Sequence, residues 1–123
     1  MIQSNPFHAY VEDLFGKFGR IRIRKMFGGA GVYAGEDMFA LLDKDRIYIK
    51  ADDTLKADLE AEGGEPFEWT NPKTGKTIEM SYVSLPVNAV EDQDEASAWA
   101  EKALDVAVQA RRAKVKSPRR RPF

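Results

Sequence analysis

A chain of 123 residues with no cysteine is sized for a single domain, and it excludes disulfides, thiolate metal sites and a cysteine nucleophile together. Its net charge of −1 hides an uneven split: positions 1–110 hold all 20 acidic residues and 12 basic ones, whereas 111–123, "RRAKVKSPRRRPF", hold seven basic residues and no acid. The first residues, "MIQSNPFHAY", lack the basic and apolar regions of a signal peptide, and no apolar run approaches the roughly 20 residues of a membrane span. A cytoplasmic protein without a membrane partner is therefore expected.

Asn5-Pro6 opens a first helix, with Asn5 as N-cap and Pro6 at a position that needs no amide donor. Phe7, Tyr10, Val11, Leu14, Phe15 and Phe18 follow at the spacing of one buried face, and Gly19 is the expected stop. "RIRIRKMF" then alternates as a half-buried strand, with Ile21 and Ile23 inward and Arg20, Arg22 and Arg24 outward. "GVYA", "MFALLD" and "RIYIK" read as three more strands, and their short separations favour an antiparallel meander. "DDTLKADLEAEGG" is a short helix with Leu55 and Leu59 as its stripe. "PFEWT" and "TIEMSYVSLP" make a hairpin around "NPKTGK", with Ile78, Met80 and Tyr82 expected inward and Pro86 as the end.

The last helix is expected from about Asp92 to about Lys114, its stripe made of Ala96, Trp99, Ala100, Ala103, Val106, Ala107 and Ala110. The order α-β-β-β-β-α-β-β-α specifies an α+β fold, an antiparallel sheet of about six strands with flanking helices. Residues 1–114 form the expected body and 115–123 a basic tail outside it.

Three motifs invite a chemical reading. In Gly28-Gly29-Ala30-Gly31, a dinucleotide loop would need a helix to follow, because the helix N-terminus binds the phosphate. Here a strand follows, so the glycines are read as a turn or bulge at positive φ, with Met26 and Phe27 anchoring it to the core. "TGKT" at Thr74–Thr77 resembles the end of a phosphate loop, yet the position that must be glycine is Thr70, so it is read as a hairpin turn. His8 is the only histidine and is read as a packing or surface residue. The acidic residues cluster at helix starts, where they complement the dipole, and no pair marks a catalytic dyad. No enzyme activity, metal or cofactor is expected.

Two basic groups remain. Arg20, Arg22 and Arg24 project from one sheet face about 6.6–6.8 Å apart, either paired to cross-strand acids such as Glu79 or free for an anion, a nucleic acid or a partner protein. Arg111, Arg112 and Lys114 suit a helix C-terminus, whereas Lys116, Arg119, Arg120 and Arg121 lie beyond it and offer a low-specificity nucleic-acid contact.

"KMFGGAGVY" (Lys25–Tyr33), "MFALL" (Met38–Leu42), "IYIK" (Ile47–Lys50), "PFEW" (Pro66–Trp69) and "MSYVSLP" (Met80–Pro86) occur in this order. Together they resemble the N-terminal domain of the TfoX (Sxy) competence-regulator family, over about residues 7–112. The resemblance implies an α+β domain like those of secretion chaperones, with no catalytic residues to carry over. Its motif residues, Met26, Phe27, Gly28, Gly29, Gly31, Met80, Ser81, Tyr82, Leu85 and Pro86, are expected to make the turn and the core. It also implies a role in natural competence, full-length relatives acting with the cyclic-AMP receptor protein at promoters.

The leading expectation is a non-enzymatic domain that regulates transcription through protein partners in the transcription machinery. Nucleic-acid binding by the tail with Arg20, Arg22 and Arg24 is the alternative, and a small-ligand binder or enzyme the third reading. An edge strand or the alanine-rich helix offers a route to a homodimer.

Overall fold

The structure, a computed structural model, describes residues 5–26 and 29–116. Phe27, Gly28, Arg119, Arg120 and Arg121 lie outside the described residues, as does most of the expected tail.

Helix α1 spans Pro6–Leu14, and the Asn5 side-chain oxygen accepts from the amides of Phe7 at 2.9 Å and His8 at 3.3 Å. The helix ends four residues before the expected Phe18. Tighter turns carry the chain on to Gly19, whose φ of 144° redirects it into the sheet. The amphipathic spacing persists through those turns, so Phe15 and Phe18 still face the core.

The strands are β1 (Arg22–Met26), β2 (Gly29–Ala34), β3 (Asp37–Asp43), β4 (Arg46–Lys50), β5 (Pro66–Thr70) and β6 (Thr77–Ser84). All pair antiparallel in one sheet of order β1-β2-β3-β4-β6-β5. The meander is tight because its turns are short. Lys44 and Asp45 both take left-handed φ (49° and 61°) between the paired Asp43 and Arg46, the geometry of a two-residue hairpin. Helix α2 (Asp53–Ala61) carries the chain out to edge strand β5, capped by the Asp52 carboxylate on the Leu55 amide at 2.8 Å. Helix α3 (Gln93–Lys116) is capped by Asp92, which accepts from the amides of Asp94 and Glu95.

Paired residues share a face, which assigns the two sides of the sheet. Ala30, Leu42 and Ile47 form one row, and Val32, Ala40 and Ile49 the next; all are buried beneath the helices. Ala96, Ala100 and Ala103 of α3 are fully buried on this side, where the helix packs against β3 and β4. Small side chains let the helix axis approach the strands closely. The stripe is thereby used within the chain, while Ala110, expected in it, is exposed.

A bulge between Val32 and Tyr33 of the β2–β3 register leaves Phe39 as the extra residue on β3. Phe39 and Ala40 therefore both turn inward, and the Phe39 ring lies edge-on to Phe15 at 5.5 Å and tilted to Phe18 at 5.0 Å.

One expectation reverses. Ile78, Met80 and Tyr82 do not face the helices; Val83 does. The other half of β6 (Thr77, Glu79, Ser81) is polar, so alternation alone selects the apolar half as the core. Helix α2 instead covers the polar side, where Lys56 reaches Glu79 at 2.6 Å. That bond is the main cause of the raised Lys56 pKa.

Phe39→Ala tests the bulge. It should cost about 3–5 kcal/mol, lowering the urea midpoint with an unchanged slope; a cost near that of a surface change would show that Phe39 is not a core anchor.

Candidate functional site

With the helices on one side, the other face of the sheet is bare, and it is not polar. Four of the six exposed large hydrophobic residues among those described lie on it: Met26, Trp69, Ile78 and Met80, each 37–51% exposed. Met26 of β1 and Trp69 of β5 belong to opposite edges of the sheet yet line one concavity of about 470 Å³, so the sheet is strongly coiled around its bare side. Met38, Leu41, Leu42, Phe67 and Tyr82 complete the apolar lining, and among the described residues its ionisable members are Asp43 and Tyr82.

Gly31 shapes this floor. A β-carbon there would lie 2.9 Å from the Met38 sulfur and 3.1 Å from the Met26 sulfur, so both thioethers fold over bare backbone. Gly29 serves a different contact: its β-carbon would meet the Leu42 carbonyl oxygen at 2.2 Å. Neither glycine takes a positive φ, and both lie within β2. For Gly29 and Gly31 the expectation of a turn at positive φ is thus corrected: both are present for close approach, while Gly28 lies outside the described residues, and Met26 sits on the bare face and not in the core.

Cations border the apolar floor. The guanidinium groups of Arg22 and Arg24 sit 5.6 and 5.9 Å from the centre of the Tyr33 ring, Arg46 sits 5.5 Å from that of Tyr48, and the Lys50 ammonium 5.1 Å from that of Tyr82. Arg46 also reaches Glu65 at 3.3 Å, and Arg22 donates to the Gly35 carbonyl at 3.0 Å. Arg24 and Lys50 have no ion pair among the described residues. The expected pairing of the β1 arginines with Glu79 does not occur, because β1 is an edge strand joined only to β2.

The other sequence candidates are dispersed. Arg20 precedes β1 and is exposed. Arg111 is engaged by Asp37 at 2.7 Å, which raises its pKa and ties α3 to the start of β3. Arg112 and Lys114 are exposed on α3, and Lys116 is its last residue. Ser81 is exposed, whereas Leu85 and Pro86 are buried. Met26, Met80 and Tyr82, read from the sequence only as fold-makers, converge on the concavity from strands 54 residues apart in sequence, Met26 to Met80. Met38, Leu41, Phe67, Trp69 and Ile78 were not expected there. Their signal was present: "MFALL" is apolar on both alternating faces, whereas a half-solvated antiparallel strand should be polar on one.

Fold and surface together define an open-faced α+β domain with an apolar, cation-bordered concavity. The family model for the TfoX N-terminal domain matches residues 13–107, and the chain belongs to that family. It is also similar to DNA transformation protein TfoX1 of Aliivibrio fischeri, with 34% identity over 74 residues. That match covers 57% of this chain and 35% of the relative, so the aligned region spans about a third of the relative's length. No described helix is long and apolar enough to cross a membrane.

Two experiments probe this face. Gly29→Ala should cost roughly 1–3 kcal/mol, because backbone must move, whereas Gly31→Ala should cost less than about 1 kcal/mol, because the atoms that must give are side chains, two flexible methionines and the edge of the Tyr33 ring at 3.2 Å. Equal costs would refute the distinction.

Tyr82 supplies a pH test. Burial, and secondarily Tyr33, raises its pKa. The folded chain then holds the phenolic proton more tightly than the unfolded chain, so the Tyr82 contribution is complete below about pH 10 and is lost as pH rises further. Tyr82→Phe should flatten that alkaline loss in urea midpoints measured from about pH 8 to about pH 11.

Proposed function

We propose that this chain is a non-enzymatic interaction domain that regulates transcription of DNA-uptake genes in the cytoplasm, through a protein partner bound on the helix-free face. Membership of the TfoX N-terminal domain family and similarity to a DNA transformation protein support the competence setting. The observation that carries the interaction reading is the concentration of exposed apolar side chains on one coiled face. Among the described residues its lining offers one carboxylate and one phenol, which favours an apolar partner surface over a small polar substrate.

Nucleic-acid binding remains the second reading, because Arg24 has no ion pair among the described residues and Arg112 and Lys114 are exposed. Removing residues 115–123 should then weaken DNA binding and flatten its salt dependence. No loss on truncation ends that reading.

The leading reading is tested in a DNA-competent strain lacking this chain. Restoring the chain should raise transcripts of DNA-uptake genes several-fold, and Met80→Glu, folded by circular dichroism, should not. Transcripts that do not respond to the restored chain would overturn it.

A further inference from the structure

Resting on that reading, we propose that the concave face holds an amphipathic α-helix of the partner protein, its apolar stripe on the methionine floor and acidic flanks against Arg24 and Lys50. The argument begins with the backbone of the occupant. The floor of the concavity is a sheet face, and the free amides and carbonyls of edge strands β1 and β5 lie in the plane of the sheet at its rims, not on the floor. An extended segment laid on it would bury its own backbone groups against an apolar floor without partners. A helix satisfies those groups internally and presents apolar side chains at i, i+3, i+4 and i+7. The floor suits such a stripe, since Met26, Met38 and Met80 can repack around side chains of varied shape.

Charge selects among occupants. Arg22, Arg24 and Lys50 stand around the floor, with Arg46 already paired to Glu65, against Asp43 as the one carboxylate lining it among the described residues. A second copy presenting the same face would bring these cations together, which disfavours a face-to-face dimer. Single-stranded nucleic acid shares the attraction to cations but needs free aromatic planes. Here Tyr33, Tyr48 and Tyr82 each carry a cation over the ring, and Tyr48 packs edge-on to Phe67 at 4.8 Å. Trp69 is the exposed tryptophan of the face, and the remaining floor is largely aliphatic or thioether. A partner helix with glutamates beside its apolar stripe answers both the floor and the rim.

The probe is a synthetic helix-forming peptide of about 18 residues with leucines at the i, i+3, i+4 and i+7 positions and glutamates flanking them, titrated into the full chain. A Lys-flanked version and single-stranded oligothymidine are the comparisons. Trp69 fluorescence reports occupancy, and its absence in Trp69→Phe assigns the signal. The Glu-flanked peptide should bind with a Kd on the order of 10 μM or tighter, at least tenfold more tightly than the Lys-flanked one, and more weakly as salt rises. Met80→Glu should abolish binding, and Arg24→Glu with Lys50→Glu should invert the preference between peptides, a result that unfolding cannot mimic. Equal binding of both peptides, binding of neither, or a Trp69 response to oligothymidine instead overturns the proposal. A chain that raises uptake transcripts but ignores the Glu-flanked peptide defeats this inference alone, and one that binds the peptide but leaves transcripts unchanged defeats the regulatory role.

Discussion

The packing of α3 against β3 and β4 is the contact on which the remaining architecture depends. Ala96, Ala100 and Ala103 bring the helix close to the sheet's inner rows, and Trp99, Leu104 and Val106 pack against the same core from either side of that stripe. Its two ends are held differently. At the start, Gln93 donates to the Asp13 carbonyl at 2.6 Å and Lys17 reaches Asp94 at 3.1 Å, which joins α1 to the same side. Near the other end, Arg111 clasps the largely covered Asp37 carboxylate. With α2 also inside, over β6, all three helices lie on one face. The second face is left bare as a direct consequence.

The strand sequences already carried that asymmetry, though not its direction. Elements, order and turns were legible, because hairpin lengths, caps and glycine stops are local chemistry. The facing of β6 was not. Period-two alternation separates Ile78, Met80 and Tyr82 from Glu79 and Ser81, but says nothing about which side carries helices. The β3 bulge was equally hidden. Strict alternation would place Phe39 with Leu41; the inserted residue instead turns Phe39 to the side of Ala40 and Leu42, leaving Met38 and Leu41 together on the bare face. The glycines of β2 look like turn residues in sequence, and only the approach of Leu42 and the two methionine sulfurs shows that they make room.

An exposed apolar sheet face is an aggregation hazard, and the cations around it moderate that hazard. Arg22, Arg24, Arg46 and Lys50 lay their heads over tyrosine rings and keep their charge in water, so the edges of the patch are partly covered by flexible stems. Each such contact at an exposed site contributes only about 0.5–1 kcal/mol. That is enough to bias the side chains over the rings, and small enough for a carboxylate from another protein to draw them away. On the proposed reading the same charges have two effects on association: they disfavour pairing of this face with its own copy through like-charge repulsion, and they favour acidic neighbours for the apolar floor. A face built for core packing would need no such border. Its presence at Tyr33, Tyr48 and Tyr82, on three different strands, is what the proposed partner-binding role requires of a face that stays exposed.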